Sequence, residues 1–405
     1  MLDVIHEIQS FNAGRDPERL ALKYANMRAS PFVFLRGTCH LFYHRLPDAP
    51  VLAEAPVVWC CGDLHLQNFG SYKGDNRLVY FDINDFDESA LAPASWDLLR
   101  FLSSVLVGAG SMALKKKEAG ELCDAFLDAY CATLASGKAG WVERETAFGL
   151  IGDLLGSLKG RRRPAFLDSR TELKGKRRRL RVDNGKALPA SDEARAAVTQ
   201  LIDGLAESRD DPHFYEVLDV ARRIAGTGSL GVDRYVILVR GKDSPDGNYL
   251  LDLKETLPSS LTPYLKTRQP VWKTEAERVV EVERRMQAVS AAFLQPIRVG
   301  KRAYVLRDLQ PTSDRISLDE GRSGFDAVRG VVAEMGRILA SAQLRSGGRD
   351  GSAIADELIA FGHGAWRKAL LDMARDCAEQ VQEDWKCYAE AWDDGLFAAT
   401  VSSVS

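Results

Sequence analysis

No part of this 405-residue chain carries an uninterrupted apolar run approaching the thickness of a bilayer. The N-terminal stretch MLDVIHEIQSFNAGRDPERL also lacks a basic segment followed by an apolar one. Membrane insertion and export are therefore not expected, and a cytoplasmic location is. A Cys-x-x-Cys pair is missing too: the seven cysteines include adjacent Cys60 and Cys61, which are badly placed to chelate one metal together. Both lie in an apolar run and read as core thiols. An excess of one charge is likewise absent, since 54 Lys and Arg face 57 Asp and Glu for a net −3. That balance gives no global attraction to nucleic acid or to a membrane surface. Internal repeats and long low-complexity tracts are missing as well.

What is present is enough apolar material for a large core. Hydrophobic residues make up 45% of the chain, and at this length the expectation is two lobes or domains. Residues 1–30 read as helix from apolar spacings of three and four in LALKYANM, and PFVFLRG reads as a short extended segment. VVWCCGD is an apolar strand ending at Gly62, and FGSYKGDNRLVYFDI reads as a hairpin around Gly74-Asp75-Asn76-Arg77. From Trp96 to about Lys138 the pattern is helical and apolar, and helices are predicted to continue to about Leu205 around a basic stretch at 158–183. From His213 three strand-like runs follow, then an amphipathic helix in TEAERVVEVERRMQAVSAAF with Val279, Val282, Met286 and Val289 on one side. Two more strands surround Gly300-Lys301, and helices return after Pro311. The fold class is α+β, in three stretches: 1–212, a β-rich 213–311, and 312–405.

Charge is uneven locally. Residues 158–183 concentrate Lys and Arg, while the stretch from Asp372 to Asp394 is acidic. A run of this kind is ordinarily a solvated loop, and the sharper reading is a landing site for a phosphate-rich or acidic substrate.

The chemistry gathers in two places. AGTGSLG fits G-x-G-x-x-G through Gly226, Gly228 and Gly231, and it runs into VDRYVILVRG, a strand, where a dinucleotide-binding turn would open a helix. A glycine loop between two antiparallel strands matches the flap over nucleotide phosphates in kinases, with Thr227 and Ser229 in the same loop. Such a flap calls for a strand lysine and a helix acid to hold it. Lys254 in LLDLKE supplies the first, and Glu277, Glu281 and Glu283 are available for the second, Glu281 being favoured. The segment after the last strand, Asp308 and Leu309 to Gln310, would offer its backbone to adenine. Upstream, CGDLHLQN holds Asp63 and Asn68 in the D-x-x-x-x-N spacing of a kinase catalytic loop. Asp63 reads as the acceptor-orienting base, grouped with His65 as the catalytic pair, and Asn68 as a Mg²⁺ ligand. DINDFDE then supplies a metal-bridging carboxylate, Asp85 first and Asp82 as the alternative.

These two clusters resemble the aminoglycoside phosphotransferase branch of the kinase-like superfamily, with Cys61 where that branch has histidine. The resemblance implies a structural role for Asp97 in WDLL, bracing the loop. In kinases the flap precedes the catalytic loop, and here it follows by more than 150 residues, so the resemblance implies a circularly permuted two-lobed kinase-like fold. The small antiparallel-sheet lobe would then be inserted into a mainly helical one. Helix FDAVRGVVAEMGRILASAQLRS would stand before the catalytic loop. Over nearly the whole chain the ordered motifs KYANMRASPFVFLRG, CGDLHLQNFG, NDFDE, WDLLR, RRIAGTGSLG, LLDLKE, ERVVEVERRMQ and YVLRDLQ are similar to the bacterial family called domain of unknown function 2252. Members carry an A-H-A-R-S-like end to the late helix, where this chain has Gln343 in AQLRS. Arg36 in FLRG matches a family-pattern arginine, read as a phosphate or carboxylate clamp or as a structural ion pair. The expectation is an ATP- and Mg²⁺-dependent phosphotransferase acting on a hydroxyl acceptor, with no nucleic-acid partner. The alternatives are a nucleotide-binding pseudokinase and an AMP transferase.

Overall fold

A computed structural model of the chain describes residues 2–182, 185–243, 245–310, 316, 318 and 323–397. Helices and strands are mixed, and every strand pair among the described residues is antiparallel. Near the N-terminus, β1 (Val57–Cys60) pairs with β4 (Ala90–Pro93), and β2 (Phe69–Lys73) with β3 (Val79–Ile83). Further on, β5 (Thr171–Lys174) and β6 (Arg177–Leu180) form a hairpin. The main sheet has the order β11–β12–β10–β9–β8–β7, built from Gln295–Val299, Arg302–Asp308, Tyr249–Glu255, Arg234–Val239, Val217–Arg223 and Ala187–Pro189.

The largest core lies among the helices. Helix Ala94–Gly108 is buried almost all round, as its apolar sequence requires, and packs against Arg367–Asp393. Lys116–Ser136 lies along Phe325–Ser346, with Gly336 at a backbone approach so close that a Cβ would stand 2.3 Å from the Phe126 carbonyl. The sheet has its own two faces, as alternation dictates. Ile237, Leu251, Leu253 and Leu306 pack against Val198 and Ile202 of helix Asp192–Ala206. On the opposite face Val236, Leu238, Leu250 and Leu309 meet Leu167 and Leu180.

Two local expectations are corrected. PFVFLRG is a helix, Pro31–Gly37, because Ser30 caps the Val33 N–H and Pro31 occupies the first turn, where its missing N–H costs nothing. The basic stretch, ordinarily a solvated loop between helices, holds the β5–β6 hairpin instead. Between helices Arg163–Asp168 and Asp192–Ala206 it turns back at Gly175, φ +64°, and buries Arg178 and Leu180 while Arg177 and Arg179 face outward. Arg178 is fixed by Asp168, at 2.6 Å, and Asp246, at 2.8 Å. The main sheet therefore begins at Ala187, upstream of position 213. No helix among the described residues is long and apolar enough to cross a membrane.

Candidate functional site

Strand β1 delivers the chain to a turn that only glycine fits. Gly62 has φ +84°, and a Cβ there would lie 2.2 Å from the Glu88 carbonyl oxygen. The buried carboxylate of Asp97 accepts the N–H groups of Cys61 (2.9 Å) and Gly62 (3.0 Å), so Asp97 does brace this turn. Burial pushes its carboxyl up to about 6, against the pull of those two N–H groups. Next in line, Asp63 presents Oδ1 to the guanidinium of Arg100, at 3.0 Å from Nε and 2.8 Å from Nη2. Arg100 is wholly buried and also donates to the Leu35 carbonyl at 2.6 Å, which fixes the direction of the Asp63 carboxylate.

Asn68 joins the two halves of the motif. Its Nδ2 donates to the carbonyls of Asp63 and Asp85, both at 3.2 Å, while its buried Oδ1 has no partner among the described residues. His65 accepts the Gln67 N–H through Nδ1 at 3.1 Å and stands edge-on to Phe32. Asp85 is half exposed, and Lys254 of β10 reaches its Oδ2 at 3.7 Å and also forms an ion pair with Asp87. Enclosure by the cleft works against ionisation of Asp85, but Lys254, Arg307 and Arg234 hold it below the usual carboxylate range. Burial and the neighbouring Asp85 push Asp87 up. Buried Arg278 fastens the segment to the end of β10 by donating to the carbonyls of Asp87 (2.7 Å), Ser89 (2.6 Å) and Leu257 (3.2 Å).

The glycine loop spans β8 and β9, and Gly226 and Gly231 have φ of +71° and +89°. It is held from outside by the N-terminal helices. Arg15 (3.1 Å) and the buried Lys23 (3.0 Å) both donate to the Gly228 carbonyl, Arg19 donates to Val232 O at 2.9 Å, and the Asp16 N–H to Gly231 O at 2.9 Å. Burial pushes the Lys23 ammonium well below its ordinary value. Between this loop and the Asp63 turn lies a cleft of about 390 Å³, lined by Asp63, His65, Asn68 and Asp85 on one side and by Gly226, Thr227, Gly228 and Ser229 on the other. In the wall of the same cleft Arg223, Arg234 and Arg307 converge on Asp252.

Other predicted residues fall elsewhere. Asp82 is buried on β3 and turned towards Arg345 (3.5 Å) and the Ala288 N–H (3.1 Å), outside the cleft. Glu281 lies at the surface, paired with Arg284 at 3.1 Å. Its neighbour Glu283 is the buried acid: burial raises it to about 7, opposed by Arg307 and Lys254 and reinforced by Asp85 and Asp87. The N–H groups of Asp308 and Leu309 are already given to the carbonyls of Ala292 (3.0 Å) and Leu250 (3.0 Å), and of that segment Gln310 lines the cleft. Gly231 is seated against Arg15. Gln343 sits in the helical core, accepting the Tyr130 hydroxyl. Arg36 lines the cleft with its guanidinium 6.0 Å from the Phe32 ring centroid. Among the described residues no set of three His, Cys, Asp or Glu side chains is grouped to hold a metal ion.

Residues 15–391 match the family described as "Uncharacterized protein conserved in bacteria (DUF2252)", and the chain belongs to that family. No curated protein and no solved structure matches it.

Proposed function

We propose that this chain is an ATP-dependent phosphotransferase acting on a hydroxyl acceptor, with its sheet and helical parts arranged as the two lobes of a circularly permuted kinase-like fold. One observation carries the reading: Asp63, Asn68 and Asp85, from the first hundred residues, line the same 390 Å³ cleft as the Gly226–Ser229 loop, from the third hundred. Phosphoryl transfer is mostly positioning and charge stabilisation, and this is the set of groups it needs.

Asp63, directed by Arg100, would take the acceptor's hydroxyl proton as that oxygen bonds to the γ-phosphorus and the bond to the ADP oxygen breaks. The glycine loop presents backbone to phosphate without obstructing β-carbons. Lys254 would exchange Asp85 and Asp87 for phosphate oxygens. The donor set also suits Mg²⁺, which takes one or two carboxylates and keeps several waters: the buried, unpartnered Asn68 Oδ1 and the half-exposed Asp85 carboxylate are hard oxygen ligands. That ion would neutralise charge on the transferring group. A second reading, transfer of AMP, is favoured by the gathering of Arg223, Arg234 and Arg307 in the cleft wall, where they would hold the departing pyrophosphate.

The test is incubation with ATP labelled at the γ or the α position, alongside melting with ATP and Mg²⁺. The expected results are γ-label transfer and a raised melting midpoint. Asp63→Asn should cut turnover by roughly a hundredfold or more and leave the melting shift, while Lys254→Ala should weaken both. A midpoint unmoved by ATP and Mg²⁺ would dismiss the proposal.

A further inference from the structure

The cleft wall beside the glycine loop holds an unusual balance of charge. Arg223, Arg234 and Arg307 are 10%, 7% and 14% exposed, and all three point at one carboxylate, Asp252, which is 1% exposed. Arg234 grips it with both arms, at 2.9 and 2.5 Å. Arg223 reaches it at 2.6 Å and Arg307 at 3.6 Å. Asp85, which Arg234 and Arg307 also attract, shares Lys254 with Asp87 beside the trio. Counting Lys254, four cations face Asp252, Asp85 and Asp87, which leaves one positive charge over in a largely desolvated place, and buried charge of this kind calls for a counter-charge. The crowding is felt within the trio: burial, Arg234 and Arg307 bring Arg223 down to about 9.

The position matters as much as the charge. Asp252 lies two residues before Lys254 on the same face of β10, roughly 7 Å along the strand. A purine base wants apolar walls, and this wall is ionic. The apolar part of the same face, Val236, Leu238, Leu250 and Leu309, is already covered by Leu167 and Leu180. The trio adjoins the glycine loop, because Arg234 also approaches the Ala225 carbonyl at 3.5 Å. Arginine forks are matched to phosphate oxygens.

We infer that Arg223, Arg234 and Arg307 form a phosphate subsite that seats the terminal phosphates of a nucleoside triphosphate beneath the glycine loop, so that the nucleotide enters phosphates first with its base towards the mouth. The assignment of the ligand as a nucleotide rests on the function proposed above; the phosphate chemistry of the subsite does not. A phosphorylated acceptor would satisfy the same chemistry, and the test separates the sources.

The full chain is titrated calorimetrically in EDTA, so that no metal on Asp85 contributes, with pyrophosphate, tripolyphosphate, ATP and AMP. Pyrophosphate and tripolyphosphate should bind, ATP more tightly than tripolyphosphate, and AMP weakest. Arg223→Gln and Arg307→Gln should each weaken pyrophosphate at least tenfold. Both leave the Arg234–Asp252 pair in place, and Arg223→Lys, which keeps the charge, should stay within about threefold and serves as the control for folding. If ATP binds no better than tripolyphosphate while the glutamine variants still lose pyrophosphate, the subsite stands and the nucleotide reading falls. Pyrophosphate that does not bind, that binds both glutamine variants undiminished, or that is outcompeted by AMP overturns the subsite itself.

Discussion

Replacing Glu283 by Gln gives a prediction whose size and sign both come from burial. Glu283 is 2% exposed, its Oε1 has no partner among the described residues, and its carboxyl is lifted to about 7 from an ordinary 4.5. In the folded protein it keeps a proton that the unfolded chain has released across that window, so stability falls as pH rises from about 4.5 through 7. At 1.36 kcal/mol per pH unit the full loss is about 3 kcal/mol, most of which falls between pH 5 and pH 8. Gln is neutral throughout and of the same shape. The variant should therefore gain about 2–3 kcal/mol on the wild type between those two pH values, read from urea denaturation at each. Asp97 and Asp308, both raised to about 6 by burial, titrate in both proteins and cancel in the difference. A gap between variant and wild type that is the same at pH 5 and pH 8, within about 0.5 kcal/mol, would mean that Glu283 is ionised and paired, and the reasoning would fail.

Gly62→Ala should cost at least ~3 kcal/mol, or prevent folding, because a β-carbon 2.2 Å from the Glu88 carbonyl must move backbone at a φ of +84°; a urea midpoint close to wild type would contradict this. The two aspartates proposed from sequence as metal ligands should separate cleanly. Asp85→Asn should weaken the Mg²⁺ dependence of ATP binding at least tenfold, whereas Asp82→Asn, outside the cleft, should leave it unchanged while altering stability through Arg345. Equal effects of the two in a Mg²⁺ titration would refute that separation.

Local signals carried much of this architecture. Glycine-containing turns marked the hairpins at 69–83, 217–239 and 295–308, and the five-residue step from Asp63 to Asn68 marked a loop whose two ends do meet through one amide. Face assignment was harder. Glu283 lies four residues after Val279 and three before Met286, squarely on the buried stripe, whereas Glu281 lies off it; helical spacing alone distinguishes them. Lys23 carries the same signal, sitting among Leu20, Tyr24 and Met27 on the buried side of helix Pro17–Arg28. The arginine trio gave no such sign. Each arginine follows its own strand's alternation, and their meeting at Asp252 depends on register between strands up to 84 positions apart, which pattern does not encode. Hairpin β5–β6 was hidden by its composition, since a run of Lys and Arg has no apolar alternation to read.

The clasp on the glycine loop also has a consequence in time. Lys23 and its partner Gly228 are 205 residues apart, and Arg19 and Val232 are 213 apart. A ribosome adding roughly 5–20 residues per second makes the first helices wait about 10–40 s for the carbonyls they will hold. Through that interval the amino end has nothing to close upon, and the nascent chain carries Lys23 in water. Synthesis thus orders assembly: the beginning of the chain is fastened to its middle only once residue 232 has been made, and to helix Arg367–Asp393 later still, through Arg28 to Asp393 and Arg45 to Asp384.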